Sequence, residues 1–570
     1  MDGAASMFEP LQSKAQKILR TEYGVKNVTV EWERPAQADF GDLATPVAMQ
    51  LAKELKKNPK VIAETLAEKL AKDSSVEKAE VAGPGYVNVW LKPQALIDEL
   101  KKTREACTAR VTRKEEAPVI VEYSSPNIAK PLGIHHILTT VIGQVIANLY
   151  IHQGYNVKTV NHIGDWGTQF GKLYVAWKHW GKGDLGTKTV DELLALYVKF
   201  HDEEENPVLE AEARNAFRSL EEGDADIRSF WKTVVNISMN EIYVLYERLH
   251  VHLAYEHGES MYENKMQPIV EEGKKKKVFT PGKDGALIAD LENENLPPAI
   301  VIKGDGGTIY LTRDLATVRY RIDEWHPQAS LYVVGQEQQL HFQQLFAIVK
   351  RLGWQLPHLE HVLFGRMRFA DGNMSTRKGK ILKLEHVLDE AVERARAVVK
   401  GHGEKIQTDD VETLAEMMGI GAVVYGILSQ NRKMDILFDW DKALSFEGNS
   451  APYLQYTHAR AKSVLRKAEV KGDSFLPNNI SSLSDVERSL IGGLLQFPEV
   501  VSEARESHMP HVLATYLYQL CQLFNSFYNN EPIIQAEESQ KTLRLALTAL
   551  TATVLKCGAE LLTLRVPDRM

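Results

Sequence analysis

Two stretches of this chain carry residue types suited to polyphosphate chemistry. At 124–136 the run SSPNIAKPLGIHH follows an apolar stretch, PVIVEYSS, and leads into IHHILTTVIGQVIANLYIHQG, whose apolar pattern predicts a helix. A helix that begins beyond the end of a strand presents unpaired backbone N–H groups and the positive end of its dipole, which together favour phosphate. Imidazoles there, His135 and His136, can donate hydrogen bonds to phosphate oxygens. Adjacent histidines at a helix start serve packing or solvation as readily as chemistry, so the pair decides nothing alone. At 374–380, MSTRKGK sets Arg377 and Lys378 after the hydroxyls of Ser375 and Thr376 and before Gly379. Such a basic loop can bind pyrophosphate and offset the charge that develops on it; taken alone it is equally a solvated loop.

These stretches need a scaffold. From Pro118, short β-rich runs (VIVEYSS, NVKTVNHIG, IVIKGDGGTIYLT, SLYVVGQ, HVLFGRMRF) alternate with helical stretches, which predicts a Rossmann-like, doubly wound parallel sheet with ligands beyond the carboxyl ends of its strands. A mostly helical, acidic span at about 190–300 reads as an insertion. Before the sheet, residues 8 to about 105 read as a self-contained α+β unit: the helix FEPLQSKAQKILRTEYG, the strand NVTVEWE, two further helices, and strand alternation around a Gly-Pro-Gly turn. After about 384 the chain reads as almost entirely helical, ending in a bundle. The expected organisation is 1–110, 111–385 with its insertion, a helical connection at 386–445, and a helical domain at 446–570: a multidomain α/β protein, in line with its 570 residues.

Composition narrows the class. With 44% hydrophobic and 25% charged residues and no apolar run near the roughly 20 that span a bilayer, no membrane association is expected. The first residues, MDGAASMFEPLQSKAQ, resemble neither a signal nor a transit peptide, so a cytoplasmic location is expected. Cys107, Cys521 and Cys557 are scattered, without disulfide or zinc spacing, and no protein-held metal is expected. A net charge of -8 disfavours nucleic acid on average, yet basic clusters at 272–278, 376–383 and 458–467 can form tracks on an acidic body. No GxGxxG follows a predicted strand, which leaves a dinucleotide enzyme without its motif.

VEYSSPNIAKP, VNHIGDWGTQFGKL, GTIYLTRDLATVRYR, MSTRKGK, FDWDKALSFEGNSAPYLQYTHARA and the terminal VPDRM together resemble the arginyl-tRNA synthetases, a class I aminoacyl-tRNA synthetase family. The resemblance implies an ATP-dependent ligase that makes arginyl-adenylate and pyrophosphate from L-arginine, then transfers arginine to the 3'-terminal ribose of tRNA(Arg). It implies Mg2+ bound through the ATP phosphates, a monomer, and a requirement for tRNA before adenylate forms. By position, Glu122, Asn127, Tyr310, Asp314 and Gln338 would line the arginine pocket. A guanidinium, a planar fork of five donors, needs such carboxylate and amide acceptors around its edge. Lys130, Gly133, His136, Met374, Ser375 and Lys378 would bind ATP, with Lys130, His135, His136, Arg377 and Lys378 as the catalytic set. Tyr453, Tyr456 and Arg460 lie at spacings of three and four on one helix face, a pattern that fits a core stripe or base stacking; the resemblance implies an anticodon-binding domain here and a tRNA-elbow domain at the N-terminal end. A guanidinium-selective pocket needs no hydrolytic editing domain, and none is expected.

The sequence departs from the class I pattern at the elbow. His-x-Gly-His falls on Gly133, Ile134, His135 and His136, so an imidazole is missing at 133 and a ring stands at 135. Asn373 and Thr376 also replace lysines of the general class I loop. Two readings follow: His135 supplies the missing imidazole, or the ATP site is impaired and the chain is a non-catalytic tRNA-binding homologue.

Overall fold

The computed structural model describes residues 9–35, 40–108, 113, 116–203, 206–304, 306–307, 309–370, 382–401, 406, 408, 410–470 and 476–570. Met374, Ser375, Arg377 and Lys378 lie outside them.

The centre is a five-stranded, all-parallel sheet in the order His358–His361, Ala329–Tyr332, Val119–Glu122, Val157–Asn161, Tyr255–Glu256. Every residue of the middle strand Val119–Glu122 is buried, as expected where helices cover both faces of a parallel sheet. The helix His135–His152 lies against it and buries Ile137, Leu138, Val141, Ile142, Val145 and Ile146. Gly143 makes that approach possible, because a Cβ there would sit 2.2 Å from the Tyr123 side chain.

Three sequence expectations change. The run IVIKGDGGTIYLT does not enter the parallel sheet: Ala299–Ile302 joins Thr280–Pro281 and Leu287–Ala289 in a separate antiparallel sheet, and a helix, Tyr310–Trp325, begins inside the run. The buried positions Leu311, Leu315 and Val318 show why, since they repeat with the helical period. The span about 190–300 is helical over Val190–Asp202, Pro207–Glu222 and Ala225–Leu249, but it also supplies the fifth sheet strand, Tyr255–Glu256. In the N-terminal unit, NVTVEWE makes only an isolated bridge, Glu33↔Ala44, although Val28 and Val30 are buried; the neighbouring strand Leu43–Thr45 is three residues long and gives it little to pair with. The Gly-Pro-Gly turn does join a hairpin, Val76–Ala82 with Tyr86–Leu91.

The C-terminal part is a bundle of Ala451–Lys467, Asp485–Leu495, Phe497–Ser507, Pro510–Asn530 and Glu538–Leu561. It is tied to the N-terminal unit by Arg488 and Asp42, 2.6 Å apart, and to the sheet by His508 and Glu360, 3.1 Å apart. One described helix, Val411–Leu428, is long and apolar enough to cross a bilayer, and 67% of that stretch is buried within the protein.

Candidate active site

The elbow is held in an unusual backbone shape. Ser124, Ser125 and Ala129 all have left-handed φ values, 72°, 51° and 62°, each disfavoured for a residue with a Cβ by about 1–2 kcal/mol. Surrounding groups fix it: Asn161 Oδ1 accepts from the Ser125 N–H at 3.1 Å, Ser238 Oγ accepts from the Ala129 N–H at 3.0 Å, and Ser124 Oγ lies 2.6 Å from the Tyr246 hydroxyl. Gly164 joins in, its N–H donating to Pro126 O and its carbonyl accepting from Ile128. Strain held by so many bonds is the pattern of a segment whose side chains must point where the chain would not send them.

Beyond it, residues 132–134 pair with 382–384. Ile134 N–H donates to Leu382 O at 2.9 Å and Leu384 N–H to Leu132 O at 2.8 Å, with a bridge between Gly133 and Lys383. The buried Gly133 therefore fixes the chain that emerges from the basic 374–380 stretch. Its own N–H donates to His136 Nδ1 at 3.1 Å, and the Gly133 carbonyl lies 3.3 Å from the same nitrogen; the shorter contact is the one that leaves the proton of the neutral ring on Nε2. Burial and the neighbouring His135 push the His136 pKa down to about 4, so the ring is neutral near pH 7. His135 is exposed, its ring centroid 4.0 Å from that of His136. Lys130 is half-buried, its ammonium 5.4 Å from the centre of the Tyr197 ring.

Across the sheet, the helix Tyr310–Trp325 carries Tyr310, Asp314 and Arg321 at intervals of four and seven, hence on one face. Tyr310, at its start, is 72% exposed. Asp314 Oδ2 lies 2.6 Å from His341 Nε2. Arg321, fully buried, is paired with Glu122 at the end of the middle strand. Next to Asp314, Arg313 is paired at 3.0 Å with Glu259. Burial drives the Glu259 carboxyl up to about 7; Arg313 opposes the shift while Asp314 and Asp165 add to it. Asp165 organises this corner: Oδ1 and Oδ2 accept from the Ser260 N–H and hydroxyl at 2.9 and 2.7 Å. A Cβ on Gly258 would stand 2.2 Å from Oδ2, so the turn carrying Glu259 packs directly on that carboxylate. Trp166 is packed between Phe217 and Trp231.

Asn127, exposed, abuts Gly164, and Gln338, exposed, ends the short turn after the strand Ala329–Tyr332. Glu122, Asn127, Asp314 and Gln338 thus belong to the carboxyl edge of one sheet and the helix above it. Sequence reading missed Glu259, Arg313, Arg321 and His341. Arg321 was legible as a charge seven residues after Asp314 on the same face, whereas HGES, around Glu259, carries no pattern that marks it. The carboxylates and amides gather at the carboxyl edge of the sheet and the helix above it, and the imidazole and ammonium at the elbow that follows the middle strand, residue types suited to a cation and to a polyphosphate respectively.

Tyr453, Tyr456 and Arg460 lie apart, on the helix Ala451–Lys467. The Arg460 guanidinium sits between the Tyr456 and Tyr528 rings at 4.8 and 5.0 Å and donates to Asn525. Arg460 and Tyr456 line an open groove of about 1290 Å³ with Arg466, Lys467, Tyr528 and Arg569. Tyr453 accepts from Asn525 through its hydroxyl at 3.0 Å and packs its ring on Tyr518.

Comparison with known proteins identifies the family. Residues 98–440 match the model of the class I (R) tRNA synthetase catalytic domain, 454–570 the DALR anticodon binding domain, and 9–91 the arginyl tRNA synthetase N-terminal domain. An arginine–tRNA ligase of Alkaliphilus metalliredigens is 38% identical over 98% of this chain and 99% of its own. One from Lactococcus lactis is 41% identical over 96% and 97%. Among solved structures, Thermus thermophilus arginyl-tRNA synthetase superposes with a TM-score of 0.81 at 26% identity, covering 99% of this chain and 100% of that one.

Proposed function

The chain belongs to the arginine–tRNA ligases, a class I tRNA synthetase family, and on that premise we propose that it activates L-arginine with ATP and transfers it to the 3'-terminal ribose of tRNA(Arg). The observation that carries the reading is the pair of carboxylates, Glu259 and Asp314, near enough that Asp314 helps to raise the Glu259 pKa, with Asp314 on the helix that begins at the exposed Tyr310. Each already has an internal partner, Arg313 for Glu259 and the His341 ring for Asp314, and a guanidinium could engage their remaining acceptor positions. Glu122 and Asn127 take the α-ammonium and carboxylate end of the substrate, with Arg321 behind Glu122, and Gln338 adds an amide.

The arginine carboxylate attacks the α-phosphorus and pyrophosphate leaves; the tRNA ribose hydroxyl then attacks the adenylate carbonyl and releases AMP. No protein nucleophile takes part, so the rate comes from positioning and from donors aimed at developing charge. His136 donates through Nε2–H and Lys130 through its ammonium, while Gly133 lets the backbone of the elbow pair with the stem of the loop. Arg377 and Lys378, with Met374 and Ser375, are read from the sequence alone as further phosphate contacts and lie outside the described residues. His135, exposed beside His136, stands in for the imidazole absent at 133, which favours a working ATP site over an impaired one. The Mg2+ of this reading would be held by the ATP phosphates and would supply positive charge there; among the described residues no three His, Cys, Asp or Glu side chains are grouped to hold a metal ion.

The groove around Tyr456 and Arg460 takes unpaired tRNA bases by stacking and cation–π contact, and the N-terminal α+β unit takes the tRNA elbow. The test is charging of tRNA with labelled arginine by wild type and Asp314→Asn. Loss of one charged hydrogen bond should raise the arginine KM at least about 10-fold with the ATP KM unchanged; equal arginine KM values would remove Asp314 from the pocket.

A further inference from the structure

We infer that Tyr197 is a positioning residue for ATP: its ring holds the Lys130 ammonium where the incoming phosphates need it. The inference rests on the reading of Lys130 as a phosphate contact. The ammonium lies 5.4 Å from the ring centre, within cation–π range, and attraction to a ring face leaves its N–H donors able to turn to another acceptor. A lysine on a free four-carbon stem would surrender rotamer freedom when it met a phosphate. Guided by the ring, Lys130 has surrendered part of it beforehand, the usual benefit of preorganisation.

The support is itself braced. Tyr197 packs edge-on against His201 one turn later, at 4.5 Å between ring centroids. Its helix, Val190–Asp202, is fixed at the start by the Thr189–Glu192 capping box and by the Val190 N–H donating to Glu241 at 2.9 Å. The same helix reaches the other side of the elbow, where Asp191 is paired with Lys383, and Lys383 is bridged to Gly133. One helix of the inserted region thus contacts both Lys130 and, through Lys383, the bridge partner of Gly133, so its placement fixes Lys130 relative to the elbow.

The test is tRNA-dependent exchange of pyrophosphate into ATP by the full chain, comparing Tyr197→Leu, Tyr197→Phe, Lys130→Met and the Tyr197→Leu/Lys130→Met double variant. Tyr197→Leu should raise the ATP KM about 2–5-fold, the size of an exposed cation–π contact, with the arginine KM unchanged. Tyr197→Phe, which keeps the ring, should match wild type, and Tyr197→Leu should add nothing once Lys130 is methionine. An equal rise in the ATP KM with and without Lys130, a parallel rise in the arginine KM, or no rise in the single variant would each overturn the inference. If Lys130→Met leaves the ATP KM unchanged, the phosphate role of Lys130 fails, and the positioning role falls with it for that separate reason.

Discussion

Glu122 and Arg321, 199 residues apart in sequence, form a buried ion pair at the carboxyl end of the middle strand, with side chains 10% and 1% exposed. The pair joins the sheet to the helix that carries Tyr310 and Asp314, so the wall read as the arginine pocket and the strand that precedes the elbow are mechanically one piece. A buried pair of this kind adds little net stability, but removing one partner leaves an uncompensated charge.

Arg321→Met is accordingly predicted to destabilise the protein by about 3–5 kcal/mol. The double variant Glu122→Gln/Arg321→Met, with no buried charge, should recover most of that loss. Urea denaturation monitored by circular dichroism distinguishes the two; a double variant as unstable as the single one would show that packing, not charge, is at stake.

Glu259 makes arginine binding pH-dependent. Its carboxyl, raised by burial to about 7, is largely protonated at pH 6 and largely ionised at pH 8. The arginine KM should fall as pH rises through that window, by at most about 10-fold per unit, and Glu259→Gln should flatten the profile. The sign for stability is opposite: a carboxyl with its folded pKa above the unfolded one stabilises at low pH, and that contribution is lost as pH rises through 7. Saturating arginine should offset the loss, which thermal melts at pH 6 and 8 with and without arginine would show.

His136 behaves differently because its ring, held near pKa 4 by burial and by His135, stays neutral across the working range. His136→Ala should raise the ATP KM about 10-fold or more, the value of a hydrogen bond to a charged group, by the same factor at pH 6 and pH 8. A factor that grows toward pH 6 would mean that the imidazolium, not the neutral Nε2–H, contacts the phosphates.

Arg460 faces the groove between two rings. Arg460→Ala should weaken tRNA binding and reduce the slope of log K against log salt by about 1 if the guanidinium also meets a phosphate. Filter binding at several salt concentrations reads both, and an unchanged affinity would exclude the groove from the tRNA interface.

Much of this was legible because local pattern and final structure agree: the apolar run ending at Glu122, the long apolar stretch after His135 and the amphipathic helices of the bundle each point to the element they form. TIYLT was misread because Ile309 and Tyr310 are good strand residues, while the period that decides, Leu311, Leu315 and Val318, begins only after them. Tyr255–Glu256, two residues long, has no period at all and is a strand only because Val157–Asn161 offers an edge. The motif residues of the site could be listed from the sequence, but their internal partners could not. Glu259 reaches Arg313, and His341 reaches Asp314, through tertiary packing that no spacing encodes.

The central claim is that paired carboxylates select a guanidinium. The most direct measurement is tRNA-dependent exchange of pyrophosphate into ATP with arginine, lysine and citrulline, the last matching arginine in shape but uncharged. Exchange should depend on arginine, with citrulline disfavoured by roughly 10⁴-fold in kcat/KM because it leaves the carboxylates without their charged partner. Comparable exchange with citrulline, or none with arginine at any enzyme concentration, would contradict the account.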